Sequence, residues 1–348
     1  MTSMQGMLEG FEAPSTRSAD VARVLVDVDL PHMDRPLDYI VPAGLADAAV
    51  VGSLVRVRLS SARIDGWIVE RIRREVGEGT ASLESVVSST PVLAPSIYET
   101  ARRIAARFLA TTSQVLSLAI PPRHARAERE ARDENAPTWP TVTSDHVGLG
   151  WEAYPAGEAL VSRLRAGESP RAIATMLRPR LRGCLSEAVA STVASRRSVI
   201  VVTATGEQAG RYARELSEDL SIPVSLAGSE VAAEKRYRLH VAASLGRVPV
   251  VVGTRSAVWV PCSRLGLIII VDDGDDRLRE RRFPRCDALD VAVQRCAVEG
   301  SGLLVASSAR SVKAQALVRS GWAVGIEPTP QALREATPRV HLHGSTQA

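Results

Sequence analysis

The chain has 348 residues, 45% hydrophobic, 24% charged and 4% aromatic, with a net charge of +4. That is enough for two or three domains with cores of Ala, Val, Leu and Ile. It excludes a membrane bundle, because the longest apolar runs, such as Leu265–Val271, are strand-length, and Cys184, Cys262, Cys286 and Cys296 are too scattered for a disulfide scaffold or a Cys-x-x-Cys zinc ribbon.

Residues 1–19 read as a loose tail. Val21–Leu30 alternates apolar and polar residues as a half-buried strand does. Leu37–Val41, Ser53–Arg58, Asp65–Ile72 and Leu83–Val87 follow as short strands, broken by Pro36, Pro42-Ala43-Gly44 and Asp65-Gly66. Pro95-Ser96 opens a helix with Ile97, Ala101, Ile104, Ala105 and Phe108 on one face, and Thr112–Ala119 makes a second. Residues 20–120 are thus a small β-rich α+β domain. Pro121-Pro122 ends it, and residues 121–150 read as a linker. Within the linker, Arg123, Arg126, Arg129 and Arg132 alternate with acids, which suits a solvated, net-neutral helix better than a basic stripe.

From 151 the pattern alternates. Helices are expected at Leu185–Ala194, Glu207–Leu220, Val231–Leu245, Asp287–Glu299 and Val312–Ser320. Strands are expected at Ser198–Thr203, Pro223–Leu226, Val248–Val252, Leu265–Val271 and Leu303–Ala306. Fully apolar strands between amphipathic helices mean a parallel sheet covered on both faces. Of the charge, residues 151–348 hold 27 basic against 20 acidic residues, so this half carries any field for a phosphate backbone.

Ligands of such a sheet sit beyond the carboxyl ends of its strands. Three ends stand out: Gly253-Thr254-Arg255-Ser256-Ala257, Asp272-Asp273-Gly274-Asp275-Asp276 and Ser307-Ser308-Ala309-Arg310. Glycine, hydroxyls and arginine suit a phosphate backbone. Carboxylates at a neighbouring strand end suit a hydrated magnesium ion. Capping turns without a ligand are the plainer readings of both. The Arg277, Arg279, Arg281, Arg282 and Arg285 cluster reads equally as a phosphate contact and as a solvated loop paired with the neighbouring acids.

This order resembles the first lobe of a superfamily 2 helicase, and the Gly253–Ala257 and Asp272–Asp276 wording resembles the PriA family of primosomal replication-restart proteins (primosomal protein N′). The resemblance is to its actinobacterial branch, which lacks recognisable helicase motifs. At the front, Leu30-Pro31, Arg35–Pro42, Gly52, Val55-Arg56-Val57 and Gly66 to Val69 look like that family's 3′-end DNA-binding domain. The resemblance covers residues 20–330. It implies DNA contacts at Asp38, Tyr39, Gly253, Thr254, Arg255 and Ser256, and a degenerate nucleotide and metal motif at Asp272 and Asp273. Asp38 would accept from a free 3′-hydroxyl, although Leu37 replaces the family's stacking aromatic, Ser60 stands near its glycine and Glu84 near its lysine.

The departures bear on mechanism. A working lobe cradles phosphates on a glycine-rich loop with a lysine. Here there is no Gly-Lys-Ser/Thr, the only lysines are Lys235 and Lys313, and the stretch before the Leu185 helix reads Arg178-Pro179-Arg180-Leu181-Arg182-Gly183. Asp273 replaces a catalytic glutamate with a shorter arm. The expected fold is an α+β N-terminal DNA-binding domain (20–120), then an α/β RecA-like helicase lobe with a mostly parallel sheet (151–335) and a tail (336–348). The expected function is binding of forked or branched DNA and help in primosome assembly, with no catalysis and no ATP, magnesium or zinc cofactor. DNA and other primosome proteins are the expected partners, in the cytoplasm and away from membranes. The alternatives are an ATP-dependent 3′–5′ helicase with a divergent nucleotide site, or the truncated remnant of one.

Overall fold

The structure is a computed structural model and describes residues 16–135, 138–142, 150–228 and 230–338. Its chain divides into two compact units, one of residues up to Tyr98 plus Thr111–Ser113, the other of Glu99–Ala110 and everything from Gln114. His146, His341 and His343 lie outside the described residues.

The first unit is an antiparallel sheet of β1 (Thr16–Val26), β2 (Leu37–Ile40), β3 (Leu54–Leu59), β4 (Ala62–Gly77) and β5 (Ser85–Ser88), in the order β2-β1-β4-β3-β5. Alternation sets its core: Val55 and Val57 point in with Val24, Val26, Tyr39 and Ile68, while Arg56 and Arg58 point out. Ser60 opens the two-residue β3–β4 turn at φ +54°, where glycine is the cheap residue. The segment after β4 pairs both edges. Ile40 N–H donates to Ala81 O (2.8 Å), Leu83 N–H to Ile40 O (3.0 Å) and Glu84 N–H to Arg56 O (3.0 Å). The sheet therefore curls toward a closed barrel and leaves little open edge. The first strand begins earlier than its apolar pattern suggests, at Thr16, inside the stretch read as tail. Three carboxylates of the β1–β2 connection hold the 111–113 segment: Asp27 accepts from Ser113 Oγ (2.5 Å), Asp29 from Thr111 Oγ1 (3.3 Å), and Asp34 from Thr112 N (2.9 Å).

The helices are α1 (Pro95–Phe108) and α2 (Thr112–Ala119), as expected, then α3 (Ala125–Asp133) and α4 (Gly157–Arg165). The rest of the second unit alternates as β6 (Arg171–Thr175), α5 (Leu181–Ala194), β7 (Ser198–Val202), α6 (Gly206–Leu220), β8 (Val224–Ala227), α7 (Ala233–Ser244), β9 (Val250–Gly253), β10 (Leu265–Val271), α8 (Ala288–Glu299), β11 (Gly302–Ser307), α9 (Val312–Arg319), β12 (Val324–Ile326) and α10 (Pro330–Ala336). The seven strands form one parallel sheet, β12-β6-β11-β10-β7-β9-β8. Every residue of β7, β9, β10 and β11 is buried, as a sheet covered on both faces requires. This is the parallel α/β sheet expected of the second domain.

Within residues 121–150 the expected helix is present at 125–133, and one face of it, which the charge pattern does not announce, packs Ala127 and Ala131 against α7, with Glu128 buried at 4% exposure. The Glu128 carboxylate accepts from the Tyr237 hydroxyl (3.1 Å) and from Arg123 Nε (2.8 Å), which is how a charge survives there. Arg126, Arg129 and Arg132 face outward, as a solvated face should. No helix among the described residues is long and apolar enough to cross a membrane.

Candidate functional site

Because the sheet is parallel, the carboxyl ends of β6, β9, β10 and β11 open on one side of the second unit. The motif after β9 is built for close packing first. A Cβ on Gly253 would sit 1.8 Å from Ala227 O, so only glycine lets β9 run against β8. Thr254 is buried, with its N–H on Ala227 O (3.1 Å), and Ala257 N–H closes a turn on Thr254 O (2.8 Å). Ser256 is exposed and Arg255 half-buried. Arg255 Nε lies 3.3 Å from Glu280 Oε2.

This turn is held from beneath by Arg295, a residue sequence reasoning passed over. Arg295 is fully buried on α8, and its Nη1 donates to Val258 O (2.6 Å) and Val260 O (2.9 Å). Its charge is balanced one helical turn on by Glu299, whose Oε1 accepts from Nε at 2.6 Å. In the sequence, an arginine and a glutamate four apart on a helix look like any solvated pair.

At the tip of β10, Asp272 continues the ladder through its N–H to Ala306 O (3.1 Å) and holds φ at +53°. Asp and Asn reach this left-handed region more readily than most side chains. Asp273 is locked to β11: its N–H donates to Ser307 Oγ (2.9 Å) and that hydroxyl donates back to Asp273 Oδ1 (2.7 Å). The strand β11 lies between β6 and β10, so Ser307 pairs with Thr175 on one side and stands beside the acidic tip on the other.

The end of β6 is where a phosphate-binding loop would open. Here α5 begins at Leu181, four residues before its apolar pattern suggests, so Gly183 lies inside the helix. Only residues 176–180 connect strand to helix, and three of them make a 3-10 turn. Leu177 N–H donates to the Tyr154 hydroxyl at 2.8 Å, and Arg178 Nη2 lies 3.5 Å from Asp272 Oδ2. The 150–157 segment packs against the first turns of α5. Trp151 Nε1 donates to Cys184 O (3.0 Å), Cys184 Sγ donates to Gly150 O (3.0 Å), and a Cβ on Gly150 would come within 2.5 Å of Cys184 N. Burial pushes the Cys184 thiol up to about 12, so it stays protonated. Burial also raises the Glu187 carboxyl above its usual range, only partly offset by amides of Gly150 and Trp151.

In the first unit, the two residues implied by resemblance separate. Tyr39 is a core residue at 3% exposure whose hydroxyl donates to Arg58 O (3.3 Å), so its ring offers no face for a base. Asp38 faces out, 2.7 Å from Arg74 and 3.6 Å from Arg23, and Arg23 reaches on to Glu70 at 2.8 Å. Glu84 is paired with Arg58 (3.1 Å) and Arg63 (2.9 Å). The outer face of this sheet is therefore a lattice of alternating charges.

Residues 23–121 match the family described as the PriA 3′ DNA-binding domain. The "Probable replication restart protein PriA" of Mycobacterium tuberculosis is 37% identical over 318 residues, which are 90% of this chain and 48% of that protein. The Mycobacterium leprae protein of the same name is 32% identical over the same shares. The chain spans about half the length of these curated relatives. Among solved structures, a DEAD box protein from Methanococcus jannaschii is 14% identical at TM-score 0.39, covering 50% of this chain and 49% of that one. Residues 23–121 thus match a PriA 3′ DNA-binding domain, and nine-tenths of the chain is similar to about half of proteins named replication restart protein PriA.

Proposed function

We propose that this chain is a DNA-binding protein of replication restart that engages forked or branched DNA and helps primosome assembly, without an ATP cycle of its own. The DNA-binding half of the reading is supported by the family match over residues 23–121. The non-enzymatic half is carried by one observation, the connection between β6 and α5. A phosphate cradle needs free backbone amides on a wide loop and a lysine near the β and γ charges. Here the Leu177 amide is taken by Tyr154, the loop is five residues long, and Arg178 leans on the very carboxylate that would organise magnesium. The residues present do not fit a magnesium–nucleotide complex. Arginine does not replace the lysine, because its planar fork needs a different geometry from a point charge.

Fluorescence anisotropy with forked, gapped and plain duplex DNA, run beside a DNA-stimulated ATPase assay, tests both halves. The expected result is fork binding of micromolar affinity or tighter with no ATP turnover. Failure to bind forks at low salt sinks the DNA half. A thermal shift with Mg-ATP that disappears in Asp272→Ala favours a helicase with a divergent nucleotide site instead.

A further inference from the structure

Glu280 stands in an unusual position for an acid in an arginine-rich loop. The loop reads Arg277-Leu278-Arg279-Glu280-Arg281-Arg282, and Glu280 is its only carboxylate after Asp276. Its side chain is 13% exposed, whereas that of Arg282 is 66% exposed. Its Oε1 accepts from the amides of Arg281 (2.8 Å) and Arg282 (3.1 Å), and its Oε2 lies 3.3 Å from Arg255 Nε. The backbone is fixed as well, with Glu280 N–H on Cys286 O at 2.9 Å and Leu278 buried.

Two successive amides and a guanidinium converging on one pair of oxygens make the seat that elsewhere holds a phosphate. Burial acts to raise the Glu280 carboxyl, but those amides and Arg255 outweigh it and leave it below the usual range, so it is ionised at neutral pH. Resting on the DNA-binding reading above, we infer that Glu280 is a built-in occupant of the phosphate seat of Arg255, so that nucleic acid gains this arginine only by displacing an internal carboxylate. The turn then discriminates by competition. A flexible backbone whose phosphate enters the seat recovers the ion pair that is lost, and a polyanion held at a distance does not. Glu280 is a positioning residue in this scheme, since it acts through Arg255.

The test compares binding of a single-stranded oligothymidylate by wild type, Glu280→Gln, Arg255→Ala, the double variant and Asp276→Asn, across a salt series. Glutamine keeps an oxygen for the two amides and removes only the charge. Glu280→Gln is expected to bind about fivefold or more tightly, with a salt slope steeper by about 0.7, one added phosphate contact on a single strand. The gain should vanish when Arg255 is alanine, and Asp276→Asn, the same charge change in the same loop, should not reproduce it. A gain that survives Arg255→Ala, equals that of Asp276→Asn, or is absent while wild type binds, overturns the proposal and leaves DNA binding standing. Absence of oligothymidylate binding by wild type and by Glu280→Gln alike also overturns this proposal, whereas the DNA-binding reading falls only if wild type fails to bind forked DNA at low salt in the anisotropy assay. A second measurement needs no variant: on wild type, the Arg255 Nε–H resonance should move on titration with the oligonucleotide together with the Glu280 carboxyl carbon. Two unmoved signals at saturation overturn the proposal.

Discussion

Arg178 and Asp272 meet at 3.5 Å across the carboxyl end of the parallel sheet, one from the connection after β6 and the other from the tip of β10. Arg178 is 65% exposed, so the pair contributes little to stability. What fixes the cost of changing Asp272 is its backbone, at φ +53°. Asp272→Asn should therefore leave the unfolding free energy within about 0.5 kcal/mol of wild type, and Asp272→Ala should cost about 1 kcal/mol, by urea titration. Neither change should alter a thermal-shift response to Mg-ATP, which is expected to be absent in wild type too.

Gly253→Ala separates architecture from contact. The new Cβ would lie 1.8 Å from the Ala227 carbonyl oxygen, in a pair of parallel strands that cannot spread without breaking their ladder. A loss of at least about 3 kcal/mol in urea unfolding is expected, in the range of severe overpacking. Ser256→Ala, at an exposed position of the same turn, should leave stability within about 0.5 kcal/mol of wild type.

Arg295→Ala should be among the most damaging single changes. It strips the carbonyls of Val258 and Val260 of their donor and leaves Glu299 buried without its partner. Breaking a buried pair from one side costs about 3–5 kcal/mol. Adding Glu299→Gln to that variant should recover part of the loss, which a double-mutant cycle by urea unfolding would read as coupling.

Glu187 gives a pH signature. Its folded pKa is raised, chiefly by burial, so the folded state holds the proton more tightly than the unfolded chain. Its favourable contribution is complete below the ordinary carboxylate range and is lost as pH rises through the raised folded value. Glu187→Gln, which does not titrate, should match wild type in Tm near pH 4 and exceed it by a few degrees at about pH 8. A Tm difference independent of pH would show that burial of charge at this site is not what matters.

The legible parts of this protein were those in which one pattern dominates. Leu265–Val271 is readable to the residue because six large apolar residues broken only by Gly266 admit little else, and α2 because Thr112 and the apolar residues behind it mark a start and a face. Strand β6 escaped notice because Arg171-Ala172-Ile173-Ala174-Thr175 offers small residues and polar ends, and its burial comes from neighbours. The outer halves of β1 and β4, Thr16–Asp20 against Arg73–Gly77, are mostly polar, with only Val76 buried among the large apolar side chains, so pairing there leaves little trace in hydropathy. Of the site, the strand-end turns were visible as motifs. The carboxylate opposite Arg255, the arginine beneath the turn and the tyrosine on the Leu177 amide were not. Each is a polar residue satisfied by a partner distant in sequence, and only the fold reveals which partner.

The three aspartates that hold residues 111–113 bear on where this protein can be cut. Asp27, Asp29 and Asp34 find their hydroxyl and amide donors beyond the first helix, so the N-terminal unit is not finished when its last strand is. A fragment ended at Tyr98 would leave three carboxylates without those donors around one small barrel and should be prone to proteolysis. One carried through Ala119 keeps them together with the helix that Thr112 begins. For anyone dissecting the N-terminal unit, the safe scissors lie after that second helix.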